Sequence, residues 1–409
     1  MATTLKDKEI KRIAEKTLSN YELCDHCLGR LFAKIQSGTT NQRRGEQLRD
    51  YIKLKKKIDP TNCWLCEGLI DEIPHFAELV IDALDDYEYD TFLLGCKVDE
   101  DILEREQELI GFTKSDYSES IKNEINRETG KILENKLEKE VNFLDPAIMV
   151  VIDTAFDVVE LQIKSLYVYG RYKKYYRDIP QTRWFCRICK GRGCKKCDYK
   201  GQIYETSVEE LIAKEFLLKT KGDDESFHGC GREDVDVRML GNGRPFVLEI
   251  KNPKNRSLNL SEMESKINKK NNEKVNVSNL RFSNKEEILR IKNAIFRKKY
   301  RVMIKGEKPI NNEKLKKAAQ SLPGSKISQF TPSRVAHRRA NMVREKQIYN
   351  CDIESLDGAI AILTLETESG TYIKELISGD NGKTKPNISD IIGVPCKVLE
   401  LDVIEIKGE

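Results

Sequence analysis

Eight of the twelve cysteines fall in four Cys-x-x-Cys pairs, and no other feature restricts the folding of this 409-residue chain as tightly. In a reducing compartment such pairs read as metal ligands rather than disulfides. The first set is Cys24, Cys27, Cys63 and Cys66. Two thiolates on one Cys-x-x-Cys turn span an edge of a tetrahedron, so two turns complete a structural zinc site. The chain between them must return on itself, and 28–54 reads as the helix that does so. His26 lies inside the first pair and can compete as a ligand, but four thiolates suffice. The second set, Cys186, Cys189, Cys194 and Cys197, lies within CRICKGRGCKKC, where only four residues separate the pairs. That makes a tight knuckle, consistent with a metal although the connection is short. The lysines and arginines within it suit RNA phosphate. Cys96, Cys230, Cys351 and Cys396 stand alone and read as buried small hydrophobes.

Composition gives class more than function. The net charge is only +4, from 71 basic and 67 acidic side chains, which does not by itself imply nucleic acid. Distribution says more. Acidic residues concentrate in 71–140, whereas 251–316 and 334–346 are strongly basic. Such a division suits a protein that lays RNA along one face, and equally a chain of two dissimilar domains. No apolar run approaches a bilayer span and the first twelve residues are too polar for a signal peptide, so a cytoplasmic protein is expected. The sequence contains no fixed-period repeat, Walker loop or dinucleotide fingerprint.

Periodicity and capping signals outline the elements. Residues 5–20 form an amphipathic helix, 75–85 and 101–134 are mainly helical, and 148–152 and 158–163 are strands. In 164–172, tyrosines interleave with basic residues in a pattern able to stack bases and meet phosphates, or to form an edge strand with half-buried tyrosines. Ser207-Val208-Glu209-Glu210 is a capping box opening a helix to about 220. Residues 252–276 read as mobile loop and exposed helix, 283–299 as a capped helix, 300–304 as a strand, and 331–340 as a basic insert. A strand at 359–366, a turn at Gly370, a short helix and a final strand at 396–406 close the chain.

The densest chemistry lies in Gly231-Arg232-Glu233-Asp234-Val235-Asp236-Val237-Arg238. An alternating run there is broken by Gly241-Asn242-Gly243 and followed by a second apolar run, which predicts a β-hairpin. An acid beside arginine on a rigid element is held ionised and aimed, as a carboxylate nucleophile must be. A surface hairpin with a solvated salt bridge explains the same residues.

The longer string GREDVDVRMLGNGRPF, with TPSRVAHRRA and GTYIKELISGD in that order, resembles the archaeal and eukaryotic tRNA pseudouridine synthases that modify T-loop uridines 54 and 55. The mixed α/β block from 75 to 168, particularly in 164–172, resembles a THUMP-containing RNA-binding region. The resemblance implies isomerisation of uridine in tRNA by base flipping, with Asp234 as nucleophile and Asp236 as the fallback. It implies Lys374 as the cation beside Asp234, in place of the arginine of the wider superfamily, and Tyr300 as the aromatic partner that stacks on the flipped uracil. Tyr372, Arg232, Leu376, Arg338 and Arg339 are the further substrate-binding candidates. No metal or organic cofactor is implied for the chemistry, only structural zinc. The expected architecture is α+β: a catalytic domain on a mixed, mainly antiparallel sheet with flanking helices, plus an N-terminal α/β zinc- and THUMP-containing accessory domain. Expected boundaries are 1–72 for the zinc region, 73–180 for the THUMP-like region, 181–200 for the knuckle and 201–409 for the catalytic domain, in a monomer that docks tRNA. The competing reading is a non-catalytic zinc-containing tRNA-binding protein or chaperone.

Overall fold

A computed structural model describes residues 4–35, 38–54, 56–336 and 340–408. The chain divides into two compact units, Met1–Lys164 and Ser165–Glu409. No described helix is long and apolar enough to cross a membrane.

In the first unit, four strands form one sheet: β1 (Thr91–Lys97), β2 (Glu140–Val141), β3 (Ile148–Asp153) and β4 (Val158–Ile163), in the order β2-β1-β3-β4. β1 runs parallel to β2 and β3, and β3 and β4 form a hairpin. The parallel pairs require crossovers, which the helices Glu100–Thr113 and Ile121–Leu137 supply. The expected single helix over 28–54 is not formed. Asp25–Arg30 and Asn41–Ile52 are separate helices. They cross so closely that a Cβ on Gly29 would lie 1.8 Å from the Asn41 carbonyl oxygen.

The second unit is built on ten strands: β5 (Leu166–Lys174), β6 (Asp224–Gly229), β7 (Arg238–Lys251), β8 (Val275–Ser283), β9 (Lys298–Gly306), β10 (Lys326–Phe330), β11 (Val343–Asp357), β12 (Ile360–Thr367), β13 (Thr384–Lys385) and β14 (Cys396–Ile406). Their order is β13-β10-β11-β12-β9-β14-β7-β5-β8, with β6 also on β7. Only the β14–β7 pair is parallel, so the sheet is mixed and mainly antiparallel, as expected. Flanking helices are capped by short polar side chains: Ser207, Asn284, Asn311 and Asn387 each accept from the backbone N–H three residues on. The segment 165–180, read from sequence within the accessory region, enters this sheet as β5. Tyr172 and Arg171 are buried there, Arg171 donating to the carbonyls of Asn242 and Gly243 at 2.7 and 2.9 Å, which favours the structural reading of that block.

The expected hairpin at 234–250 is instead one bent strand. β7 continues through Gly241-Asn242-Gly243, with φ of +58° and +74° at the two glycines. These residues do not reverse the chain because both of its halves are claimed by partners. Arg238 and Met239 pair with β14, and 246–251 pair with β6 on that same edge, while β5 follows the opposite edge. A gap is left between β6 and β14, and the connection 230–237 fills it. Gly241 is fixed by close approach: a Cβ there would fall 1.7 Å from the Ile404 carbonyl oxygen. Gly241→Ala is therefore expected to cost at least about 2 kcal/mol, read as a lower urea midpoint for the second unit. An unchanged midpoint would contradict this packing.

Candidate functional site

The connection 230–237 is pinned from beneath by buried polar groups. Glu233 and Arg244 form an ion pair of 2.9 Å with side chains only 1% and 2% exposed. The arginine Nε faces the carboxylate without hydrogen-bond alignment, and its Nη1 donates to the Cys230 carbonyl at 2.7 Å. The Tyr172 hydroxyl donates to Glu233 at 2.8 Å, and burial followed by that carboxylate raises its pKa well above the usual range. Gln181 donates to the Tyr172 hydroxyl at 2.8 Å and to the Gly231 carbonyl at 3.0 Å. Lys174, fully buried, donates to the carbonyls of Ile179, Asp234 and Val235 at 2.8, 3.3 and 3.0 Å. Glu233, the acid next to the candidate nucleophile, is thus a foundation and leaves Asp234 projecting.

The Asp234 carboxylate meets Arg334 at 2.6 Å and Lys374 at 3.6 Å. Lys374 was expected to be its principal cation. It lies closer to Asp236, at 2.7 Å, and its hydrogen bond and charge hold that carboxyl below its usual value against the opposing effect of burial. Arg334 has the shorter contact with Asp234 because Glu375 grips its other face, Nε and Nη2 meeting the two carboxylate oxygens at 2.7 and 3.2 Å. Burial works against the Arg334 charge, and Glu375 and Asp234 more than restore it. The aspartate is therefore aimed by a cation that is itself aimed by a buried acid. Arg334 was read from sequence only as one member of a basic insert.

Asp234, Arg334 and Lys374 line a cavity of about 590 Å³. Tyr300, on β9, forms part of its wall, 8% exposed, and burial raises its pKa to about 12. Tyr372 also lines it, its backbone fixed by two hydrogen bonds of 2.9 Å to Gln329 and its ring 6.0 Å from the Arg334 guanidinium. Arg232 lies 5.1 Å over the Trp184 ring. Leu376 does not line the cavity but is fully buried in the core; Val237, Val335, Ile373, Leu401 and Val403 form its apolar wall. β14 carries the last two, at a distance in sequence that local patterns do not bridge. Arg338 and Arg339 lie outside the described residues. Trp184 and Arg187, flanking Cys186, line a smaller adjoining cavity of about 260 Å³ that shares Asp234, Arg334 and Lys374.

Both cysteine quartets assemble. In each, all four Sγ atoms lie within 4.8 Å of one another. A tetrahedral ion with ~2.3 Å bonds to sulfur needs sulfurs about 3.8 Å apart. Cys24–Cys66 measures 3.8 Å, and Cys186–Cys194, Cys189–Cys197 and Cys194–Cys197 measure 3.9, 3.8 and 3.7 Å. The short connection in the second set therefore does not prevent closure, and both quartets can hold a metal ion. Four thiolates need charge compensation, and Arg30 adds some by donating to Cys27 Sγ at 3.5 Å while paired with Glu124 at 2.9 Å. His26 hydrogen-bonds to Glu124 at 3.2 Å and does not join the quartet.

Comparison with known proteins gives one consistent result. A family model described as "Pus10, C-terminal" matches residues 167–407, and one described as "Pus10 THUMP domain, archaeal" matches 76–153. The tRNA pseudouridine synthase Pus10 of Methanothrix thermoacetophila is 37% identical, covering 94% of this chain and 92% of that protein. Those of Methanothermobacter marburgensis and Methanocaldococcus jannaschii are 40% and 39% identical, covering 95% and 98% of this chain and 96% and 95% of theirs.

Two measurements test the geometry directly. Glu233→Gln leaves Arg244 buried without its counter-charge and is expected to cost ~3–5 kcal/mol in urea unfolding. Metal analysis by mass spectrometry is expected to find one ion per quartet, halved by Cys189→Ser. A wild-type chain free of bound metal would refute both sites.

Proposed function

Because the chain belongs to the Pus10 family of tRNA pseudouridine synthases, we propose that it isomerises uridine to pseudouridine in the T-loop of tRNA, at positions 54 and 55. The observation that carries the site assignment is the Asp234 carboxylate, held against Arg334 at the edge of a cavity that also contains Tyr300 and Tyr372. A uridine stacked in the T-loop is out of reach of any side chain, so the base must leave the stack and enter that cavity.

Asp234 is the nucleophile in this reading. Arg334 keeps it ionised and oriented, with Lys374 as a second cation, and Glu375 acts on the reaction only by positioning Arg334. Tyr300 packs against the flipped uracil, and Tyr372 and Arg232 contact the nucleotide or its neighbours. Arg338 and Arg339 remain proposed backbone contacts. The quartets hold structural zinc, in keeping with all-thiolate ligation and sulfur spacings near 3.8 Å. The second one stiffens the segment that carries Trp184 and Arg187 to the site. The first unit, containing the THUMP match, docks the tRNA, and the enzyme works in the cytoplasm on this substrate.

Pseudouridine formation in an unmodified tRNA transcript tests the proposal. Asp234→Ala is expected to make no product while still binding tRNA, and Arg334→Ala to lose on the order of 10²-fold in single-turnover rate. Asp236→Ala should retain most activity. Product from Asp234→Ala would sink the nucleophile assignment, and a folded, tRNA-binding wild type without product would establish a binding protein instead.

A further inference from the structure

Seven cations line the main cavity, and six have partners. Arg244 pairs with Glu233, Arg334 with Glu375 and Asp234, Lys346 with Glu368 at 2.7 Å, and Lys374 with Asp236; Arg344 donates to Thr331 Oγ1 at 2.8 Å, and Arg232 covers the Trp184 ring. Lys298 is the exception. It is only 6% exposed, yet its ammonium has no hydrogen bond or ion pair among the described residues. It lies against the Asp234 connection, where a Cβ on Gly231 would come within 2.9 Å of its Nζ. Two positions along β9, Tyr300 faces the same cavity with a hydroxyl that likewise has no hydrogen-bond partner among the described residues. The side chain is largely buried and its ammonium opens only onto the cavity. A charge held at that depth without an acceptor from the chain is costly, and a strand could as easily carry an apolar residue there. The arrangement is explained if the occupant of the cavity brings the acceptor.

Accepting the reading of this cavity as the pocket for a flipped uridine, we propose that Lys298 is a substrate-binding residue that donates to a carbonyl oxygen of the uracil and holds the base as an anion between bond cleavage and re-attachment. As the Asp234 carboxylate bonds C1′, the C1′–N1 bond breaks and its electron pair leaves with the base, so the charge spreads over N1 and both carbonyl oxygens. The C1′–C5 bond then forms as the Asp234–C1′ bond breaks and returns its electron pair to the carboxylate; C5 loses its proton and N1 gains one, with no net oxidation. Lys298 transfers no proton in this scheme; its fixed charge favours the separated base. The depth of the residue favours the base over a phosphate. The phosphodiester of a flipped nucleotide remains with its strand, nearer the exposed Arg334, whereas Lys298 lies against the inner wall.

The groups facing Lys298 set its titration. Burial and then Arg244 lower its pKa to about 8, helped by Lys346 and opposed by Cys230 and Glu233. The protonated form is the useful one, so kcat/KM should fall as pH rises through about 8.

The test compares wild type with Lys298→Met on an unmodified tRNA transcript, measuring tRNA affinity, single-turnover rate, kcat/KM against pH, and melting temperature. Lys298→Met is expected to bind tRNA like wild type, lose about 100-fold in rate, lack the alkaline fall near pH 8, and melt no lower than wild type because an unpaired buried charge has gone. A rate within about threefold of wild type, a defect confined to tRNA affinity, or a lower melting temperature would each overturn the proposal. A wild type that forms no pseudouridine would refute the function itself, and is distinguished from these outcomes because no variant is involved.

Discussion

The catalytic unit depends on one buried ion pair, Glu233 with Arg244. Neither side chain reaches solvent, so the pair depends on buried partners: Tyr172 donates to the carboxylate and Arg244 donates to the Cys230 carbonyl, while the arginine Nε meets Glu233 by charge alone. Those contacts fix the backbone on both sides of Asp234, which can then be irregular without being loose. Lys174 performs the same service from the other end by binding three carbonyls. An extended connection thus gains rigidity comparable to that of a strand while its side chains stay free to face the cavity.

Buried charge is treated in two ways within this unit. Beneath the connection each charge has partners from the chain, a counter-charge for Glu233 and Arg244 and three carbonyls for Lys174. At Lys298 a similar depth is reached without a partner. The first arrangement builds a support, whereas the second leaves an electrostatic demand that something outside the chain must meet. Burial percentages alone would not separate the two.

Much of this was legible in the sequence. The four Cys-x-x-Cys pairs foretold both quartets, and the capping box at Ser207 gave its helix because a cap is a local signal; the helix read over 283–299 forms only at Lys285–Asn293, with Lys298 and Lys299 already in β9. The β-turn reading of Gly241-Asn242-Gly243 failed for a non-local reason: the edges of β7 are taken by strands whose sequences lie far away, and pairing overrode turn propensity. The same limit hid Arg334, whose position depends on Glu375, and Leu401, which reaches the cavity from β14. It also sent Leu376 to the wall when the pitch of the helix Ile373–Ser378 turns it into the core. Residues bound to neighbours in sequence were readable; those bound across the sheet were not.

The position of β14 has a consequence for how the protein comes into being. It is the final strand in sequence, yet it lies between β9 and β7, in the interior of the sheet. During synthesis, the strands on either side must wait with unsatisfied edges until this segment emerges, exposed to mispairing in the interval. Leu401 and Val403 arrive with it, so the pocket gains its apolar wall in the same event that closes the sheet. A partly made chain therefore has no half-working pocket.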